Sequence, residues 1–362
     1  MGDMEMTPRA RSWRMVRMLR QHPPSLAATD EGRRATFSAA LEQSEQFFSA
    51  AAAAGPQTRG LLLFYGVSQA GRALRAAQQP DADWARAGSH GIKVVGESTS
   101  GSFADALVRD TRNKPSDAFG WVATTLNRAS LPRNIRVGDL ARLLFPGGHF
   151  PLAGDDPTYP VLELAAVRDA GLSMGRDTAV GGLRANLRVP ASTWEVQLPD
   201  APDRTTADYD AYKAHIRAQL AHYPTLAGAE LFEAAPGHFQ PTPESSDIRK
   251  VELLWPDLPA WDGLSDAVLH RFSDENRPTV KVWPTLPGAD EDETPLATHP
   301  FLLWWGILYA FSHFVRYEPG RWAFLVDVDV SGESVALDEI GDVALDVVPA
   351  LVHKTLVRHE PQ

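Results

Sequence analysis

Residues 299–322 read HPFLLWWGILYAFSHFVRYEPGRW, and the apolar run within them, Phe301 to Val315, decides the architecture. A bilayer-spanning helix needs about 20 predominantly apolar residues. This run is shorter and already contains Ser312 and His313. It therefore predicts a helix buried inside a protein core. Pro300 suits the first turn of such a helix. Arg316-Tyr317-Glu318-Pro319-Gly320 should end it, because proline and glycine disfavour continuation.

Working outward, the segment 337–356 reads as a further helix that Pro349 should kink or split. Upstream of the central run, 287–295 is an acidic linker. Before it, 183–189, 193–198, 250–255 and 279–283 alternate and are rich in β-branched and aromatic residues, as strands are. A helix over about 206–221 interrupts them. The N-terminal third is helical again, over 9–20, 34–54 and 57–79, with shorter helices near 116–128 and 137–145 and a short strand at 92–96. In the first helix Arg11, Arg14, Arg17 and Arg20 recur every third residue beside Trp13, Val16 and Leu19, an amphipathic pattern. The expected fold class is α+β, predominantly α-helical. N- and C-terminal segments (1–150 and 286–362) form a helical core, with a mixed α/β insertion at 151–285.

Composition narrows the function. The chain has 362 residues, 22% charged and 44% hydrophobic, with no cysteine and a net charge of −11. A chain this long buries roughly 75% of its unfolded surface and needs no disulfide or metal to hold a core. Without cysteine there is no thiol nucleophile, thiolate zinc site or Fe–S cluster. The acidic balance disfavours general nucleic-acid binding while leaving room for a local basic groove. The arginine-rich start lacks the apolar region of a secretion signal. The expectation is a cytoplasmic protein with no membrane span, no metal and no cofactor.

No P-loop, HExxH, EF-hand or strand–GxGxxG–helix pattern occurs. Gly66-Val67-Ser68-Gln69-Ala70-Gly71 is one residue too long for the GxSxG elbow, so Ser68 is not assigned as a nucleophile. The Arg-x4–6-His spacing of HEPN ribonucleases occurs at Arg17…His22, Arg142…His149 and Arg217…His222, as often as composition alone produces it. Arg217 and His222 are retained as weak catalytic candidates because they close a predicted helix.

Two apolar helices carry the polar residues worth weighing. In LLLFYGVSQAGRAL (61–74), Leu61, Tyr65, Ser68 and Arg72 share one face with Arg75. In the central run, Tyr309, Ser312 and Arg316 share another, with His313 beside them. Both read Tyr-x-x-Ser-x-x-x-Arg. A guanidinium cannot shed its charge, so each must meet a carboxylate, carbonyls, water or a bound anion. One reading satisfies Arg72 and Arg316 internally, with Glu318 as a counter-ion and the serines bonding back to their helices. The other gathers Tyr65, Ser68, Arg72, His90, Tyr309, Ser312 and Arg316 around a phosphate or carboxylate ligand.

Segment 61–74, His90-Gly91, Gly101-Ser102-Phe103 and segment 299–322 together resemble the YaaC-like bacterial proteins, whose apolar serine-bearing helix leads into an Arg-Tyr-x-Pro-x-x-Trp stop. Here that stop is Arg316, Tyr317, Pro319 and Trp322. The resemblance implies an intracellular, helix-rich protein and carries no catalytic residues over. As architecture, Tyr317, Pro319 and Trp322 should pack a chain reversal against the core.

The functional expectation is a non-catalytic binding or assembly protein that recognises a protein partner or a small anionic ligand. The alternative is a nucleotide- or RNA-processing enzyme, either HEPN-like or a phosphate-ligand hydrolase, with His313 or His222 as acid/base.

Overall fold

The computed structural model describes residues 7–85, 88–95, 102–111, 117–126, 130–131, 134–145, 152, 159–166, 183–190, 206–233, 242–243, 245, 248–256, 271–274, 277–286 and 299–357. In chain order the helices are α1 (Pro8–Gln21), α2 (Leu26–Thr29), α3 (Glu31–Ala53), α4 (Pro56–Gln78), α5 (Ala118–Thr125), α6 (Val137–Leu144), α7 (Thr206–Leu220), α8 (Pro300–Tyr317), α9 (Pro319–Leu325) and α10 (Ser334–Val357). The strands are β1 (Ile92–Val95), β2 (Leu107–Asp110), β3 (Ile135–Arg136), β4 (Leu162–Ala166), β5 (Leu183–Pro190), β6 (Glu230–Leu231), β7 (Thr242–Pro243), β8 (Ile248–Trp255), β9 (Arg271–Asp274) and β10 (Arg277–Val282). The fold is α+β and predominantly helical. The chain divides into two compact units, one of residues 1–157 with 286–362 and one of residues 158–285. The predicted strand at 193–198 and the acidic linker lie outside the described residues.

In the first unit α8 is the helix expected from its apolar run. Pro300 to Ser312 and Phe314 are all buried, so the helix is enclosed on every side. His299 caps it, its Nδ1 accepting from Phe301 N–H at 3.1 Å. Among the described residues no helix is long and apolar enough to cross a membrane. α4 lies against both α3 and α8. Two glycines permit this closeness. A Cβ at Gly66 would stand 2.5 Å from the Phe48 ring on α3, and one at Gly71 would stand 2.2 Å from the Trp305 ring on α8. The chain ends join the same body through Arg9–Asp346 at 2.7 Å and Arg59 with Asp338 and Asp342 at 2.9 and 3.0 Å. The arginine stripe of α1 meets glutamates of α3, Arg17 with Glu45 and Arg20 with Glu42.

The segments that carry the resemblance interlock at the far end of α8. Phe103 meets Phe311, Phe314 and Trp322 with centroids 5.1, 5.3 and 6.0 Å apart. The Trp322 indole N–H donates to the Pro56 carbonyl at 3.1 Å. The Glu333 carboxylate accepts from the Ser102 hydroxyl and from the backbone N–H of Phe103, both at 2.7 Å. Trp322 is therefore packed as expected. Tyr317, by contrast, is 65% exposed. Arg316 to Gly320 ends α8, at Tyr317, and Pro319 begins α9 directly, where its missing N–H costs nothing. Pro349 does not split α10, which runs unbroken from Ser334 to Val357. An interior proline costs about 3 kcal/mol, and here the buried Leu345, Val348, Pro349 and Val352 offset it. A three-stranded antiparallel sheet, β1-β2-β3, completes this unit.

The second unit is an antiparallel sheet of order β6-β8-β5-β4-β10-β9, with β7 also paired to β8. Strand alternation sends Leu164, Ala185, Leu187, Val189, Val251, Leu253 and Val282 to one face. There they form one core with Tyr212, Ile216 and Leu220 of α7. The alternate positions carry the ion pairs Arg188–Glu163, at 2.8 Å, and Arg184–Glu252.

Candidate functional site

A cleft of about 240 Å³ opens in the first unit, lined by Ser68, Gly71, Arg72 and Arg75 of α4, by Gly88, Ser89 and His90, and by Ala118 at the start of α5. The backbone builds it in a definite way. Ala118 N–H donates to the Ser89 carbonyl at 3.0 Å and Phe119 N–H to the His90 carbonyl at 3.1 Å, so 89–90 is strapped to the first turn of α5. Gly91 then turns with φ +77°, and a Cβ there would fall 1.8 Å from Asp117 Oδ1. Only glycine satisfies both demands. His90-Gly91 thus has an architectural reason, and it aims His90 into the cleft.

Asp117 lies beneath the strap and is 1% exposed. It accepts from Gly120 N–H as the N-cap of α5 and from the Thr111 hydroxyl at 3.3 Å. Burial pushes its carboxyl up to about 6, and the adjacent Asp110 carboxylate adds to the rise against the Gly120 and Thr111 hydrogen bonds.

The two arginines of the cleft differ in setting. Arg75 is 3% exposed, donates from Nε to Gln79 Oε1 at 2.9 Å and from Nη2 to the Asp83 carbonyl at 3.2 Å, and lies over the Trp121 ring. Burial, then the like charge of Arg72, pulls its pKa down, while Asp117 opposes the change. Arg72 itself is exposed, which corrects the expectation of a buried charge on this helix. The face rotates enough that position 75 faces inward and position 72 meets water. Arg72 makes no hydrogen bond or ion pair among the described residues. No carboxylate is among the described lining residues.

The structure therefore brings Ser68, Arg72 and His90 together at one cleft and adds Arg75, Ser89 and three small residues. Tyr65 is half-buried and stacks on Phe47, with centroids 5.6 Å apart. Tyr309 lies beside His90, the rings 6.3 Å apart, and both meet Phe64, at 5.3 and 5.0 Å. Arg316 stands over Phe64 at 5.8 Å and donates from Nε to the Ser312 carbonyl at 3.1 Å. Burial first, and the Arg316 charge second, lower the His90 pKa. Ser312 is fully buried and its hydroxyl has no partner among the described residues, so it does not bond back to its helix as one reading expected. Glu318 does not pair with Arg316 either; it takes Arg321 at 3.1 Å and stands 3.7 Å from His313 Nε2. The His313 pKa falls through burial, opposed by Glu318.

In the second unit Arg217 is exposed and His222 stacks on Tyr159 at 3.8 Å. Neither side chain makes a hydrogen bond or ion pair among the described residues. Ser68 lies in mid-helix, with no strand leading into it. No cluster of described His, Asp or Glu side chains has the makings of a metal site. Arg75 was legible as the next member of the Ser68–Arg72 face; Ser89 carried no signal apart from its neighbour His90.

A family model described as YaaC-like Protein matches residues 8–147 and 206–356. No curated protein and no solved structure matches the chain. With its motifs interlocked in one helical core and most of its length matched, this chain belongs to the YaaC-like family.

Proposed function

We propose that this protein binds a small phosphate- or carboxylate-bearing ligand in the α4 cleft and acts by binding rather than by chemistry. One observation carries the reading. Two guanidinium groups adjoin in a concave site with no carboxylate among its described lining residues, one of them buried and the other without a hydrogen bond or ion pair among the described residues. Like charges held together cost free energy that an anion would relieve, and planar guanidinium donors match phosphate and carboxylate oxygens. Ser68 and Ser89 supply hydroxyl donors. Gly71, Gly88 and Ala118 leave room for close approach. As part of the same reading the protein works in the bacterial cytoplasm, in keeping with the cysteine-free sequence, where phosphorylated metabolites are plentiful partners.

Thermal unfolding with inorganic phosphate, pyrophosphate and citrate tests this. A ligand that binds only the folded state stabilises by mass action, about 2.7 kcal/mol at 100 times Kd. At least one of these anions should raise Tm, and Arg72→Gln should abolish the rise while leaving the unliganded Tm unchanged or slightly higher, because Arg72 is exposed and its like charge beside Arg75 is gone. No rise with any of them, or an equal rise in Arg72→Gln, overturns the proposal.

A further inference from the structure

We propose that two copies of this chain pair by setting the outer stripe of α1 on one copy against the valine-rich turns between α9 and α10 on the other. Neither surface includes a residue of the α4 cleft. On the turns, Phe324, Val328, Val330 and Val335 are each more than half exposed. Successive backbone hydrogen bonds gather them. Asp327 N–H donates to the Phe324 carbonyl at 3.3 Å, Val330 N–H to the Asp327 carbonyl at 3.2 Å, and Ser334 N–H to the Ser331 carbonyl at 3.3 Å. A contiguous apolar patch with a polar rim marks a contact surface. Here the rim is acidic: Asp327, Asp329 and Glu339 are exposed, and Asp329 and Glu339 make no ion pair among the described residues.

The first helix carries the complement. Arg11, Arg14, Met15 and Met18 are exposed at i, i+3, i+4 and i+7, one face of α1, while Trp13 and Val16 bury the opposite face. Arg17 and Arg20 pair with Glu45 and Glu42, whereas Arg11 and Arg14 make no ion pair among the described residues. Methionine adapts to irregular apolar surface, and Met and Arg are enriched where proteins meet. A chain of net charge −11 repels its own copies unless opposite charges are brought together. Arginines beside methionines against carboxylates beside valines match charge and apolar area at once. Each copy brings both halves, so a pair makes the contact twice, whereas a foreign acidic or basic partner meets only one half.

Sedimentation velocity of the full chain tests this. At low salt and about 100 μM the unaltered protein should run as a dimer. Raising the salt to about 0.5 M should weaken the pairing about tenfold or more. Two charge-reversed variants, Arg11→Glu with Arg14→Glu and Asp329→Arg with Glu339→Arg, should each weaken it by about tenfold or more. Mixing the two variants sets opposite charges against each other again at both contacts. The mixture should pair within about threefold of the unaltered protein. A monomer at every concentration, an assembly larger than two copies, or pairing indifferent to salt overturns the proposal. So do charge-reversed variants that pair as well as the unaltered chain, and a mixture no better than either variant alone. All four substituted positions are exposed. The salt series on the unaltered protein decides even if a variant fails to fold.

Discussion

Asp117 is pinned by its neighbours: it accepts from Gly120 N–H and Thr111, faces Asp110, and occupies the space a side chain at residue 91 would need. Gly91→Ala should therefore cost about 3 kcal/mol or more, since it forces both a positive φ and a clash. Urea denaturation checks this, and a loss below about 1 kcal/mol would contradict the packing. The same carboxyl makes stability depend on pH. Its folded value of about 6 lies above the ordinary 3.8, so the folded chain holds the proton longer than the unfolded one. Its stabilising contribution is full below about pH 4 and is lost as pH rises through about 6. Relative to Asp117→Asn, the unaltered protein should lose unfolding free energy across that window, and a constant difference would contradict the assignment. At this scale the sequence was only partly legible. Arg72, Ser68 and His90 could be nominated from helical spacing and a His-Gly pair, but which arginine turned inward depended on a rotation that the apolar pattern does not resolve. The Asp110–Asp117 pairing brings together a strand end and a helix cap, and neither carries a mark of the other.

Elements were the most legible level. The α8 run, too short and polar for a membrane and too apolar for a surface, could only be a core helix, and its neighbours followed from Pro56, Pro300 and the alanine-rich stretch of α3. Pro349 did not split its helix because local penalties of a few kcal/mol yield to burial, whereas the Arg316–Gly320 stop ended α8 as expected, its proline being suited to start the next helix. The close contact of α4 with its neighbours predicts an asymmetry among its glycines and those elsewhere. Gly71→Ala places a methyl 2.2 Å from the Trp305 ring, with Val122 3.2 Å away, and should destabilise by about 2–3 kcal/mol. Gly320→Ala, which meets nothing within 4 Å, should be neutral or raise stability by up to about 1 kcal/mol. Denaturant midpoints of the two variants check this, and equal effects would contradict the close helix contact. Glu333→Gln weakens a carboxylate that holds 102–104 by three hydrogen bonds, and should cost about 1–2 kcal/mol with faster amide exchange at Phe103.

For the whole molecule, the order helical, mixed, helical was visible in the change of texture near residue 159 and its return at 299. The sheet order was not. Its short strands β6, β7 and β9 fall below the length at which alternation registers, and pairing between distant segments leaves no local trace. The second unit has its own core, in which α7 covers the apolar face of the sheet. Residues 158–285 made alone should accordingly unfold cooperatively in urea, and a broad, non-cooperative loss of signal would contradict that independence. The functional account rests on one place, the α4 cleft, where Arg72 and Arg75 adjoin and no carboxylate is among the described lining residues. Tungstate, a heavy analogue of phosphate, shows its position by anomalous scattering. In crystals grown with it, the account predicts an anomalous peak within hydrogen-bonding reach of Arg72 and the Ser68 or Ser89 hydroxyl. A cleft without a peak, in crystals that carry tungstate elsewhere, would contradict it.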